Sequence, residues 1–264
     1  MEGAGTLADT FKNTGLDMTT TGPTTLYTVP TAAPGTTGTP PIFPTTAVIK
    51  SIIVCNDSAS TTEYTIDLTS LFITPIFSLN LAGYEGLVKD IKSLQEKEPE
   101  TLEGKSTKGG WHSNDYLHEE EKFIALKKEI IDLSKKAMEH LGILDEMSPN
   151  ITGMWAVVNG PGSSNRLHNH PFNYLSGVFY LQVPKDSGSL IFHDPRPQSE
   201  VLSPPKKPEE SIHTAHRVTW TPKQNDILFF PSWLPHEVRE NNSQEERIVI
   251  SFNIELIRRS NRHG

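Results

Sequence analysis

Apolar residues recur at helical spacing in two stretches of the chain. Tyr84, Leu87, Val88, Ile91 and Leu94 form one stripe, and Phe123, Leu126, Ile130, Leu133, Ala137 and Leu141 form the other. Gly142 supplies a stop for the second helix. The interval from Glu96 to Gly110 is polar and contains glycines, which predicts a loop. Beyond Pro149 the pattern shortens to that of strands, over residues 151–158, 173–183, 188–193, 215–220, 226–230 and 246–256. Two helices succeeded by a run of strands predict an α+β, mainly β domain spanning residues 71–264, with the helices buttressing one sheet. The insert from Pro195 to Pro208 is proline-rich and lacks apolar periodicity, and a loop of that length in a compact domain is often a functional element such as a lid.

Residues 1–70 have a different character. They are roughly a quarter threonine and carry few charges, a bias of β structure or low-complexity linkers rather than helix. Thr25–Val29, Ala47–Cys55 and Thr62–Leu68 read as strands, separated by Pro/Gly/Thr stretches and by a turn at Asn56–Ser60. This predicts a small N-terminal β module without histidine or an acidic cluster, and so without chemistry of its own. A floppy threonine-rich extension is the alternative.

Composition narrows the function classes. A chain of 264 residues holds one large domain plus a small one. An apolar fraction of 35%, with 18 glycines and 20 prolines, fits short strands and many loops. A net charge of −8 argues against nucleic acid as a partner, because that role needs a basic footprint. Cys55 is the single cysteine, which rules out an internal disulfide and a thiolate metal site. The start, Met1-Glu-Gly-Ala-Gly-Thr, lacks the basic and apolar regions of a secretory signal, and no apolar run reaches the ~18–20 residues of a membrane helix. The expectation is a soluble protein that is not secreted and has no membrane partner.

The candidate chemistry lies in the strand-rich half. Asn165-Arg-Leu-His168-Asn-His170-Pro171 carries two imidazoles at i and i+2, and on a strand these point to the same face. With ten histidines in the chain, such a pair is unremarkable alone and is as readily structural. Its weight comes from combination with residues some sixty to eighty positions later. His236 ends the segment that begins at Asp226, just after a Pro-Ser-Trp-Leu-Pro turn, and Arg247 opens the strand Arg-Ile-Val-Ile-Ser-Phe-Asn. Alternation puts Arg247, Val249, Ser251 and Asn253 on one face and Ile248, Ile250 and Phe252 on the other. An arginine facing a barrel interior costs several kcal/mol unless it meets an anion, and a bound carboxylate is the simplest partner.

Six motifs in order carry a resemblance. They are Gly109-Gly-Trp-His-Ser113, Asn165-x-x-His-x-His-Pro171, Ser176-Gly-Val-Phe-Tyr-Leu181, Ser187-Gly-Ser-Leu-Ile-Phe-x-Asp-Pro-Arg196, Phe230-Pro-Ser-Trp-Leu-x-His236 and Arg247-Ile-x-Ile-Ser-Phe-Asn253. Residues 72–257 resemble the 2-oxoglutarate/Fe(II) oxygenases that occur in marine bacteria and cyanophages. The resemblance implies a double-stranded β-helix (a jelly-roll or cupin-like barrel), an iron site at the barrel mouth, and 2-oxoglutarate and O2 as co-substrates. It further implies hydroxylation of a small-molecule or peptide substrate with release of succinate and CO2. Residues 22–70 resemble a β module of phage virion and tail-associated proteins. Its unpaired strands would be edges for homo-oligomer formation or virion assembly. The product would then reside in the cytoplasm of a bacterial host or on the virion.

One departure from the family pattern leaves the ligand set open. The usual triad is His-x-Asp/Glu plus a distal His, yet the second position here is His170. His168, His170 and His236 could form an all-histidine set. Alternatively, Asp194 supplies the carboxylate from a neighbouring strand, although an Asp before Pro195 more commonly caps a turn. In a third reading only one of the first two histidines binds, as the similar Arg-Leu-x-x-His stretch of aspartyl/asparaginyl β-hydroxylases implies. Tyr180 and Ser176 are candidates to bond a co-substrate carboxylate, and Trp111 and His112 to face the substrate. His118, His140, His193, His213, His216 and His263 read as surface or packing residues. Two rival functions remain: a virion structural or binding protein with a non-catalytic barrel, and a cupin-like metalloenzyme that does not use 2-oxoglutarate. Arg247 argues against the second, since a cupin has no need of a charged barrel arginine.

Overall fold

The computed structural model describes residues 73–196, 198–201, 204–205 and 214–258. The N-terminal β module, part of the Pro195–Pro208 insert, His213 and His263 lie outside the described residues. The chain runs through β1 (Phe77–Asn80), α1 (Leu87–Lys97), β2 (Thr107–Lys108), β3 (Trp111–His112), α2 (Ile124–His140), β4 (Met147–Asn159) and β5 (Ser164–His168). It continues through β6 (Leu175–Gln182), β7 (Leu190–His193), a single helical turn α3 (Gln198–Val201), β8 (Arg217–Trp220), β9 (Asp226–Pro231), β10 (His236–Val238) and β11 (Arg247–Arg258).

Both helices fall on their predicted stripes. α1 buries Leu87 and Ile91, and α2 buries Leu126, Ile130, Leu133 and Ala137. Gly142 ends α2 in a left-handed conformation with φ +66, and Ile143 N–H closes the turn onto Met138 O.

The strands form two antiparallel sheets, ordered β1-β9-β6-β11-β4-β3 and β2-β5-β10-β7-β8. Side-chain alternation sorts the six-stranded sheet into two faces. Ala156, Val158, Phe179, Phe229, Ile248, Ile250 and Phe252 point to the helices and share one core with them. Val157, Val178, Tyr180, Leu228, Phe230 and Val249 point the other way and meet Leu190 and Phe192 of the five-stranded sheet. The two sheets therefore pack face to face, and each fully buried Leu or Phe contributes about 1.5–3 kcal/mol. The predicted face of Arg247, Val249, Ser251 and Asn253 is the one turned toward the second sheet.

The mainly β expectation is met, and the structure adds that the sheets are antiparallel, with differences of detail. β4 begins at Met147 and includes Pro149, well before Val157 and Val158 where the two-residue β3 pairs with its outer edge. β5 and β10 were not legible as strands because they are short and polar, and they form by pairing with each other rather than by apolar pattern.

Candidate metal centre and its cavity

The register between β5 and β10 creates the site. His168, the last residue of β5, lies directly opposite His236, the first residue of β10. Directly opposed residues of an antiparallel pair bring their Cβ atoms to about 4.5–5.5 Å, and the two ring centroids are 4.3 Å apart. His170 arrives differently from the expectation. It lies beyond the end of β5, so strand alternation does not aim it. Its backbone N–H instead donates to Ser232 O at 2.9 Å, which folds it back beside the loop leading to His236. The ligand atoms of His168, His170 and His236 all fall within 4.8 Å of one another.

Two of the three rings are oriented by backbone carbonyls. His168 Nδ1 lies 2.7 Å from Arg166 O, and His236 Nδ1 lies 2.9 Å from Leu234 O. A carbonyl only accepts, so each Nδ1 carries the proton and each Nε2 keeps its lone pair. Burial keeps all three rings neutral. It holds His170 down to about 3 and His236 down to about 4, reinforced by the neighbouring histidines, and it lowers His168 as well. Converging neutral imidazoles, two of them with lone pairs fixed on Nε2, match the donor set of a divalent transition-metal ion.

Asp194 is not among these donors. Its carboxylate accepts from Arg196 Nε and Nη2, both at 2.9 Å, and from Arg196 N–H at 3.0 Å, which is the turn-capping geometry.

Inward from the histidines a cavity of about 60 Å³ opens between the sheets. Its lining includes Tyr180, Arg247, Ser251 and Asn165 beside His168, His170 and His236. Arg247 is 2% exposed, and burial lowers its pKa. Its Nη1 donates to Ser187 O and to Gly188 O at 3.2 Å, and no carboxylate among the described residues pairs with it. Gly188 is required there. At φ +90 an added Cβ would collide with Arg239 O and come within 2.8 Å of Arg247 Nη1. The Tyr180 hydroxyl makes no hydrogen bond within the described residues, and burial raises its pKa. Ser176, the other candidate for a carboxylate contact, does not line the cavity. Its hydroxyl is held by Ser232 Oγ at 2.8 Å and Asn253 Oδ1 at 2.7 Å.

Outward, His168 and His170 face a broad groove lined by His112, Asp115, Trp155, Arg166, Asn169 and Asn253, among others. His112 stacks on Trp155 with centroids 5.6 Å apart, and Trp155 in turn leans on His170 at 5.9 Å. His112 thus reaches the groove as expected. Trp111 does not: it is buried against the helices, with its indole N–H donating to Glu98 O at 2.7 Å. Trp155 escaped the sequence reading. Ser232 and Asn253 stand in its motifs, and Asn253 also on the inward face with Arg247, but no role had been assigned to either.

Residues 153–253, which hold the three histidines and Arg247, match the family described as "Putative 2OG-Fe(II) oxygenase". No curated protein matches the chain in sequence. Among solved structures, the chain is similar to the non-heme alpha ketoglutarate dependent epimerase SnoN from nogalamycin biosynthesis. The identity is 14% and the TM-score 0.51, over 70% of this chain and 79% of that one. A structure of SnoN in complex with Fe3+, alpha ketoglutarate and nogalamycin RO gives a TM-score of 0.50 at 15% identity, covering 70% and 82%. A Pseudomonas putida prolyl-4-hydroxylase gives 0.49 at 16% identity, covering 70% and 93%. At these identities the likeness to the two SnoN structures shows the fold alone: antiparallel sheets arranged as in that alpha ketoglutarate dependent enzyme. The family match assigns residues 153–253 to a 2-oxoglutarate/Fe(II)-dependent oxygenase domain, an enzyme class that uses Fe(II), 2-oxoglutarate and O2. It lends no support to a virion structural role.

Proposed function

We propose that this protein is an Fe(II)- and 2-oxoglutarate-dependent dioxygenase that hydroxylates a substrate lying in the outer groove, with its two sheets acting as a double-stranded β-helix. The observation that carries this is the joint lining of one cavity by three converging neutral imidazoles and a buried arginine without a carboxylate partner. His168, His170 and His236 would hold the ion. When bound, Fe(II) supplies the redox chemistry that couples decarboxylation of 2-oxoglutarate by O2 to hydroxylation of a C–H bond. Arg247 anchors the far carboxylate of 2-oxoglutarate through the fork geometry of its guanidinium, and the Tyr180 hydroxyl adds a donor from β6. Phe230 and Phe192, 4.8 and 6.3 Å from His236, keep water from the inner side of the site. Three neutral ligands leave the ion's charge to be balanced by the co-substrate carboxylates, which draws the anion to the same cavity as Arg247.

The Asp194 and two-histidine readings gain less support, since Asp194 is committed to Arg196 and His170 stands within the cluster. The substrate, a small molecule or a peptide segment, approaches from the groove side, past Trp155 and His112. Purified protein supplied with Fe(II), ascorbate, O2 and 2-oxoglutarate should form succinate. His236→Ala should abolish metal binding and turnover, while Asp194→Asn keeps both. Absence of both turnover and metal binding in the native protein would refute the proposal.

A further inference from the structure

The third histidine raises a problem that the first two do not. His168 and His236 donate Nδ1–H to carbonyls and so offer Nε2 lone pairs. Nδ1 of His170 instead faces the Asn253 amide, whose Nδ2 lies 3.4 Å away in donor orientation. An Nδ1 that accepts leaves the ring proton on Nε2. In this arrangement Nε2 of His170 carries an N–H rather than the lone pair a metal ion needs. Electrostatically that suits an empty cluster, since three converging lone pairs would repel one another. It does not suit a ligand.

The surroundings of Asn253 resolve the conflict. Its Oδ1 accepts from Ser176 Oγ at 2.7 Å, and Ser176 Oγ lies 2.8 Å from Ser232 Oγ, where either hydroxyl can donate. Ser176 and Ser232 are 1% and 0% exposed, so bulk water does not intervene. The line Ser232–Ser176–Asn253–His170 is therefore a chain of hydrogen bonds with two self-consistent directions. In one, Ser232 donates to Ser176, Ser176 to Asn253 Oδ1, and Asn253 Nδ2 to His170 Nδ1. In the other, the amide is turned over. His170 Nδ1–H then donates to Oδ1, Nδ2 donates to Ser176 Oγ, and Ser176 donates to Ser232. The second direction frees Nε2 as a lone pair, with its ring proton moved to Nδ1.

We propose that Asn253, backed by Ser176 and Ser232, is the positioning residue that selects the ligating nitrogen of His170, and that the relay reverses direction when an ion binds. This rests on the three histidines being the metal site. The relay also links the segments that bear the ligands. Ser232 lies four residues before His236, and its carbonyl already holds the His170 backbone.

Zinc is a redox-inert probe, and long-range proton–nitrogen correlation spectra of the full chain report which ring nitrogen carries the proton. The expected result is a His170 proton on Nε2 in metal-free protein and on Nδ1 with zinc, while His168 and His236 keep theirs on Nδ1 in both. Asn253→Asp, which can only accept, should place the His170 proton on Nδ1 without metal and retain zinc affinity. Asn253→Leu should weaken zinc binding roughly 10- to 100-fold by calorimetry, and Ser176→Ala should weaken it in the same direction. Should Asn253→Leu not fold, the native spectra and Ser176→Ala still decide. Zinc binding without movement of the His170 proton overturns the relay and leaves the metal site standing. No zinc binding at all overturns both.

Discussion

Replacing Arg247 with methionine removes the one buried cation of the cavity while nearly keeping its volume. The side chain is 2% exposed, so a carboxylate that meets it is shielded from water and the pair is strong. Loss of one member of such a hydrogen-bonded charge pair costs about 2–5 kcal/mol of binding, and 3 kcal/mol corresponds to roughly a hundredfold in Kd. Lysine at the same position keeps the charge but loses the planar fork, so Arg247→Lys should fall between, near tenfold. The fold itself should change little. Methionine leaves Ser187 O and Gly188 O short of a donor, at about 1–3 kcal/mol. The removal of an unpaired buried charge offsets this. Thermal unfolding of the zinc-loaded protein against 2-oxoglutarate concentration measures both quantities at once. The native midpoint should rise as the co-substrate saturates, by the equivalent of about 2.7 kcal/mol at a hundredfold excess over Kd. Arg247→Met, with Kd raised about a hundredfold, should gain only about 0.4 kcal/mol at the same concentration. A methionine variant that binds 2-oxoglutarate as tightly as the native protein would refute the role of Arg247 as its anchor.

The same geometry dictates two further outcomes. In chelator-treated protein, burial holds His170 at about 3 and His236 at about 4, below the ordinary value near 6.5. As pH falls from 7 to 5, the unfolded chain binds protons that the folded chain cannot, so stability should drop by about 2 kcal/mol per group. Urea unfolding at the two pH values checks this, and the His170→Gln/His236→Gln double variant should lose most of the slope. Gly188→Ala forces a side chain into a left-handed backbone, against Arg239 O and the guanidinium, and should cost about 3 kcal/mol. Its calorimetric midpoint should fall by several degrees, and its 2-oxoglutarate affinity should fall with it, because Arg247 must move.

The sequence alone determined the helices, the inward face of β11 and the chemistry to look for. Tyr84–Leu94 and Phe123–Leu141 announce α1 and α2 because a buried helical stripe must repeat every three to four residues. Arg247, Val249 and Ser251 share a face because strand alternation is a local property of the backbone. The residue types at His168, His170, His236 and Arg247 stated a metal and an anion. Only the tertiary structure decided how these meet. The β5–β10 register that opposes His168 to His236 is a pairing across more than sixty residues of sequence, and short polar strands carry no apolar signal of it. His170 reaches the cluster not by alternation but through a bond to Ser232 O, a contact between two loops. Asp194, equally suited by type, is drawn away by Arg196 two residues on. Residue type supplied the candidates, and long-range hydrogen bonds chose among them, because a side chain's direction beyond a strand end is set by whatever its backbone can bond to.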